Sequence, residues 1–264
     1  MGRRATCRAC CLKGIAFGAM GLSTLAVAAG RLQPVKILPG LPARTLCLTY
    51  HDVIPFRTVD SLWFDCSIDE LRKQLDWMSA QGAHFVTVAQ LYSHLTTGAP
   101  LPSHPVCITF ADNYLGFYTY AYPVLRTRRI PCAMFVHTGY VGSPVGRPKM
   151  DWDQLRQLDR EGLVTVESQT VTHPPDLRRM TYRAQLSEMR ASRAMLEQRL
   201  GHPVVFIAYP NGKFNAASER AARASGYQMG FSEKLTPAER SPSIFAVSRY
   251  VHTRMRQGWR DANR

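Results

Sequence analysis

Three short polar clusters each close an apolar, β-rich run: Tyr50-His51-Asp52, Thr109-Phe110-Ala111-Asp112-Asn113, and Glu167-Ser168-Gln169-Thr170-Val171-Thr172-His173-Pro174. If the runs are parallel strands, the clusters lie at their C-terminal ends, where such folds carry their chemistry. Carboxylates and imidazoles gathered there can transfer protons or hold a cation. Each also has a plain structural reading: His51 as a hydrogen-bonded mouth histidine, Asp112 as a turn residue satisfying backbone amides, and Glu167 as an exposed strand-end carboxylate. Tyr209-Pro210-Asn211-Gly212 reads first as a turn, with Tyr209 available as a sugar-stacking wall. His84 and His137 lack a partner at metal-site spacing and read as strand residues.

The elements that must position these clusters follow from periodicity. Apolar, β-rich runs appear at Thr45 to Tyr50, His84 to Val88, Val106 to Phe110, Cys132 to His137, Val164 to Glu167, Val204 to Ala208, Gln228 to Ser232 and Ile244 to Val251. Between them, Ser67 and Glu70 form a capping box for a helix whose apolar face is Ile68, Leu71, Leu75 and Met78. Further helices are expected from Tyr182 to Leu200, ending at Gly201, and from Asn215 to Ser225. This alternation predicts an α/β fold with a parallel sheet, open or closed into a barrel.

The length of 264 residues suits one such domain. With 45% apolar and 20% charged residues, disorder and a multi-spanning membrane protein are both excluded. Arg3, Arg4, Arg8 and Lys13 precede an apolar run from Ile15 to Ala29 that ends in Ala26-Val27-Ala28, the pattern of an export signal over 1–29. An uncleaved segment would instead tether the protein to a membrane. Residues 30–43 read as a linker, 44–252 as the catalytic-type domain and 253–264 as a basic tail. Removing the four early cations lowers the formal charge from +14 to +10, still favouring anionic partners, but the arginines are scattered and no nucleic-acid stripe is expected. His252 reads as a surface residue. Cys47, Cys66, Cys107 and Cys132 are expected as free thiols; Cys47 and Cys107 each stand four positions before His51 and Ala111, so neighbouring parallel strands would bring them level.

The order and spacing of the clusters resemble the motifs of polysaccharide deacetylases with a NodB homology domain, the carbohydrate esterase family 4 type. Tyr122-Pro123-Val124-Leu125, the run from Pro131 to Val136, and Ala208-Tyr209-Pro210-Asn211-Gly212 extend the resemblance over roughly residues 44 to 250. It implies a distorted (β/α) barrel with outer helices, an N-acetylated polysaccharide as partner, a location outside the cytoplasm (periplasmic, secreted or cell-surface), and a divalent metal, zinc foremost. In that family an Asp and two His hold the metal while a neighbouring Asp is the general base. Here Asp112 and His173 match two ligands, but Gln169 stands at the third, Ala111 at the base, Asn113 at a motif Gly and Glu167 at another position usually Gly. The resemblance therefore implies impaired metal-dependent amide hydrolysis or a glycan-binding pseudoenzyme. His51, Asp52 and Glu167 are the candidates to substitute for the missing base.

Overall fold

The computed structural model describes residues 35–264 apart from position 43, together with Met1. The export signal expected over 1–29, beyond Met1, and residues 30–34 of the linker lie outside the described residues. Among the described residues no helix is long and apolar enough to cross a membrane.

The chain runs β1 (Leu46–Tyr50), β2 (Val53–Ile54), β3 (Cys66–Ser67), α1 (Ile68–Ala80), β4 (His84–Val86), α2 (Val88–Thr97), β5 (Pro105–Ala111), α3 (Tyr122–Arg128), β6 (Cys132–Val136), α4 (Trp152–Arg160), β7 (Val164–Ser168), α5 (Tyr182–Leu200), β8 (Phe206–Ala208), α6 (Ala216–Ala224), β9 (Met229–Phe231), β10 (Tyr250–Val251) and α7 (Met255–Ala262). Seven parallel strands stand in the order β10-β1-β5-β6-β7-β8-β9, and β4 adds to β5. A parallel bridge from Phe231 to Val247 links β9 to the segment that becomes β10, so the sheet curls back toward its own start. This is the distorted barrel that the motifs imply. Strands covered on both faces read as continuous apolar runs, which is why β1, β5 and β6 are buried along their whole length.

The expected helices form where their caps place them. Ser67 accepts from the Glu70 amide and Glu70 from the Ser67 amide, and α1 buries Leu71, Leu75 and Met78. Thr181 starts α5, which ends at Gly201, and Asn215 starts α6 in a capping box with Ser218. Cys47 and Cys107 stand opposite each other in the β1–β5 register, and all four described cysteines are free and buried. The stretch expected as a basic tail is instead largely helical. α7 packs on β1 so closely that a Cβ on Gly258 would lie 2.5 Å from Leu46, and Trp259 meets Trp77 edge to face at 5.6 Å. Arg256 lays its guanidinium 3.6 Å over the Trp77 ring while Arg260 is exposed, so the charges edge the apolar contact, and the charge pattern alone suggested a tail.

Candidate functional site at the strand ends

The site is assembled from the residues that follow four parallel strands, β1, β5, β6 and β7. β5 ends at Ala111, and the chain then takes two left-handed residues, Asp112 (φ 70°) and Asn113 (φ 38°). Past β7, Thr170 (φ 72°) and His173 (φ 50°) do the same. Non-glycine residues are uncommon in this region, and for the β-branched Thr170 it is a clear strain. Strain of this kind persists only where surrounding contacts over-determine it. Here the clamp is Glu188 of α5, whose carboxylate accepts from the Val171 and Thr172 amides and the Thr172 hydroxyl, each at 2.9 Å. It fixes the loop that carries His173.

The two turns bring Asp112 and His173 together, with Oδ1 to Nε2 at 3.4 Å. The contact lacks hydrogen-bond alignment, so the buried Asp112 Oδ1 has no partner. Burial pushes the Asp112 carboxyl up, but His173, His51 and His137 together hold it well below the usual carboxylate range. His137, at the end of β6, faces the same mouth: its Nε2 lies 2.9 Å from the Asp112 carbonyl oxygen and its ring centre 5.4 Å from that of His173. With that carbonyl as acceptor, Nε2 carries the proton and Nδ1 is a bare, buried acceptor. Burial, only partly opposed by Asp112, lowers its pKa to about 4. Lys149 covers the turn from the other side. Its ammonium donates to the Asp112 carbonyl at 3.0 Å and sits 3.3 Å above the Tyr114 ring, and burial brings its pKa to about 8.

Ala111 puts no carboxylate where the resemblance implies a base. Gln169 is at the site, but its side-chain oxygen accepts from the Asp112 amide at 2.9 Å. A divalent metal would thus meet Asp112 and His173 with an amide already engaged, and no three His, Cys, Asp or Glu side chains among the described residues converge as a metal-binding group. The residues present do not build the three-ligand centre that the resemblance implies.

The proposed substitutes fare differently. His51 stands at the mouth with Nδ1 buried and unpartnered, and burial lowers its pKa despite Asp112 and Glu233 nearby. Asp52 is tied to Arg147 at 2.8 Å, and Arg147 also donates to Asp65, pinning the loop between β2 and β3. Glu167 is not brought to the mouth. It is 2% exposed within the sheet and accepts from the Val205 and Phe206 amides at 3.1 and 2.8 Å, joining β7 to the start of β8, and burial raises its pKa to about 8. Tyr209 cannot act as a sugar-stacking wall, because it is fully buried and stacked on Phe214 with ring centres 4.8 Å apart. His252, expected at the surface, is likewise buried, 5.3 Å from the Tyr50 ring with both ring nitrogens unpartnered. Lys149 and Glu188, not singled out by the sequence, reach the site from distant segments.

The comparisons agree with this geometry. Residues 98–230 match the polysaccharide deacetylase family. YxkH of Bacillus subtilis strain 168, which carries the polysaccharide deacetylase name, is 26% identical over 209 residues, covering 79% of this chain and 71% of that one. The poly-beta-1,6-N-acetyl-D-glucosamine N-deacetylase of Staphylococcus aureus strain MRSA252 is 25% identical over 224 residues, 76% of each chain. Among solved structures, IcaB from Ammonifex degensii superposes with a TM-score of 0.74 and 26% identity, covering 84% of this chain and 98% of that one. With its barrel, its strand-end turns and its ordered motifs in place, the chain belongs to the polysaccharide deacetylase family.

Proposed function

We propose that the protein acts outside the cytoplasm and engages N-acetylated polysaccharide at the strand-end mouth, with metal-dependent amide hydrolysis impaired there. The observation that carries this reading is the state of one corner. Asp112 and His173 meet at 3.4 Å while Ala111 offers no base and the Gln169 oxygen is spent on the Asp112 amide. Loss of a positioned general base costs about 10² to 10⁴ in rate, and loss of an imidazole ligand weakens the metal as well. The retained scaffold and the name of the Staphylococcus relative support a poly-N-acetylglucosamine type of ligand.

The test is a calorimetric titration with β-1,6-linked N-acetylglucosamine oligomers, paired with acetate release measured with and without zinc, cobalt or nickel. Binding with release far below that of the relatives supports the reading. Binding with none at all makes the protein a glycan-binding pseudoenzyme. Absence of binding to any N-acetylated oligomer overturns it.

A further inference from the structure

A buried cation lies beneath the mouth, and nothing above gives it a purpose. Arg249 enters the barrel just before β10 and is fully buried, its guanidinium between the rings of Phe135 and Phe231 at 5.5 and 5.7 Å. A charge so placed costs heavily unless an anion pairs with it. Its neutral partners are the Ser232 carbonyl and the Thr109 hydroxyl, both at 3.2 Å. The anion is Glu233, with Oε1 at 3.5 Å from Nη2.

Two features make Glu233 more than a counter-ion. It stands two residues beyond β9, on the same end of the barrel as His51, Asp112 and His173. It is also tightly seated, because a Cβ on Gly212 would lie 3.0 Å from the Glu233 Cβ and 3.1 Å from its backbone nitrogen. Glycine in the Tyr209-Pro210-Asn211-Gly212 turn is what lets this carboxylate approach. Among the described residues no protein group hydrogen-bonds its second oxygen, and the side chain keeps 18% exposure.

The position of Ala111 completes the argument. Side chains two apart on a strand share a face, so Ala111 projects to the same side of β5 as Thr109, the residue that Arg249 touches. A carboxylate at 111 would rise one pleat above the guanidinium. We propose that Glu233 is the mouth's relocated carboxylate: it pairs with Arg249 in place of the side chain missing at Ala111, and its free oxygen accepts a hydrogen bond from the bound amino-sugar unit. The ligand half of this inference rests on the proposed function; the pairing half does not.

The experiment is a cycle of Glu233→Gln, Ala111→Asp and their combination, reading the thermal midpoint and the Kd for a β-1,6-linked N-acetylglucosamine oligomer. Glu233→Gln should lower the midpoint and weaken binding about tenfold, the scale of one charge-assisted hydrogen bond. Adding Ala111→Asp should recover much of the midpoint, because Arg249 regains an anion. Glu233→Asp should lower the midpoint less than Glu233→Gln, because a carboxylate charge stays near Arg249, while still weakening binding, since the shorter side chain withdraws the free oxygen. A Glu233→Gln midpoint equal to the parent's, or one that Ala111→Asp lowers further, overturns the relocated pair, and the midpoints report this even if the protein binds no glycan. Glu233→Asp binding as tightly as the parent overturns the contact with the ligand.

Discussion

The two ends of the barrel treat polar groups to different degrees. At the C-terminal ends of the strands, His51, Asp52, Asp112, Asn113, His137, Thr138, Thr170, Tyr209 and His252 all bury side-chain atoms with no hydrogen-bond partner. Several left-handed non-glycine residues, Asp112, Asn113, Thr170, His173 and Asn211, gather there too. At the opposite end fewer such atoms remain, His94 Nε2 at 3.5 Å from Glu239 and the Ser248 hydroxyl among them, and the start of β1 is secured. Glu239 accepts from the Thr45 amide at 3.1 Å and from its hydroxyl, while the Thr45 carbonyl receives the Ala238 amide at 3.1 Å. Native folds leave few buried polar atoms unpaired, so a cluster of them marks a place kept for something other than stability. The mouth keeps its unpaired polar groups and is not packed as ordinary core.

The comparison can be broken by substitution. Within the supporting interior, Arg249→Ala should cost most, about 3–5 kcal/mol, because it opens a cavity and strands Glu233; urea unfolding would measure it. A smaller effect should appear at Glu167. Its folded pKa of about 8 exceeds the ordinary 4.5, so its contribution is full below 4.5 and lost as pH rises through about 8. Glu167→Gln should flatten that decline, on the order of 2–4 kcal/mol, in unfolding curves recorded across pH 4–9. Glu239→Gln at the closed end should cost about 1–3 kcal/mol by unpairing the Thr45 hydroxyl or amide. At the mouth the sign should reverse: Thr170→Asn relieves a strained β-branched residue and should raise stability by up to about 1 kcal/mol. Destabilisation at Thr170 as large as at Glu239 would erase the contrast between the ends.

Local signals made much of this legible in the sequence. The capping box at Ser67, the helix start at Asn215 and the breaker at Gly201 placed α1, α6 and α5, and apolar runs placed the strands other than β2 and β3. The side on which a residue of a doubly covered strand projects is a different matter, because such strands lack the polar–apolar alternation that would reveal it. Glu167 was therefore read as a mouth carboxylate, although it bonds the backbone of β8. Tyr209 beside a Pro-Gly turn reads alike as a wall or as core. His252 reads as a surface residue, yet it is buried, as is Arg249 within the last apolar run. Lys149, Glu188 and Glu233 reach the mouth only through tertiary contacts, so no local pattern announces them.

The structure also narrows how the site should be restored. Glu167 is buried away from the mouth, so replacing it would open the sheet without touching the chemistry. Asn113, at φ 38°, is the turn position where glycine fits. The most direct test is acetate release from β-1,6-linked N-acetylglucosamine oligomers by the parent and by Ala111→Asp/Gln169→His/Asn113→Gly, each supplied with zinc. Local loss of chemistry on a retained scaffold predicts release near background from the parent and clear zinc-dependent release from the triple variant. A parent that releases acetate as fast as the restored variant, or a folded triple variant that neither binds zinc nor releases acetate, would contradict it.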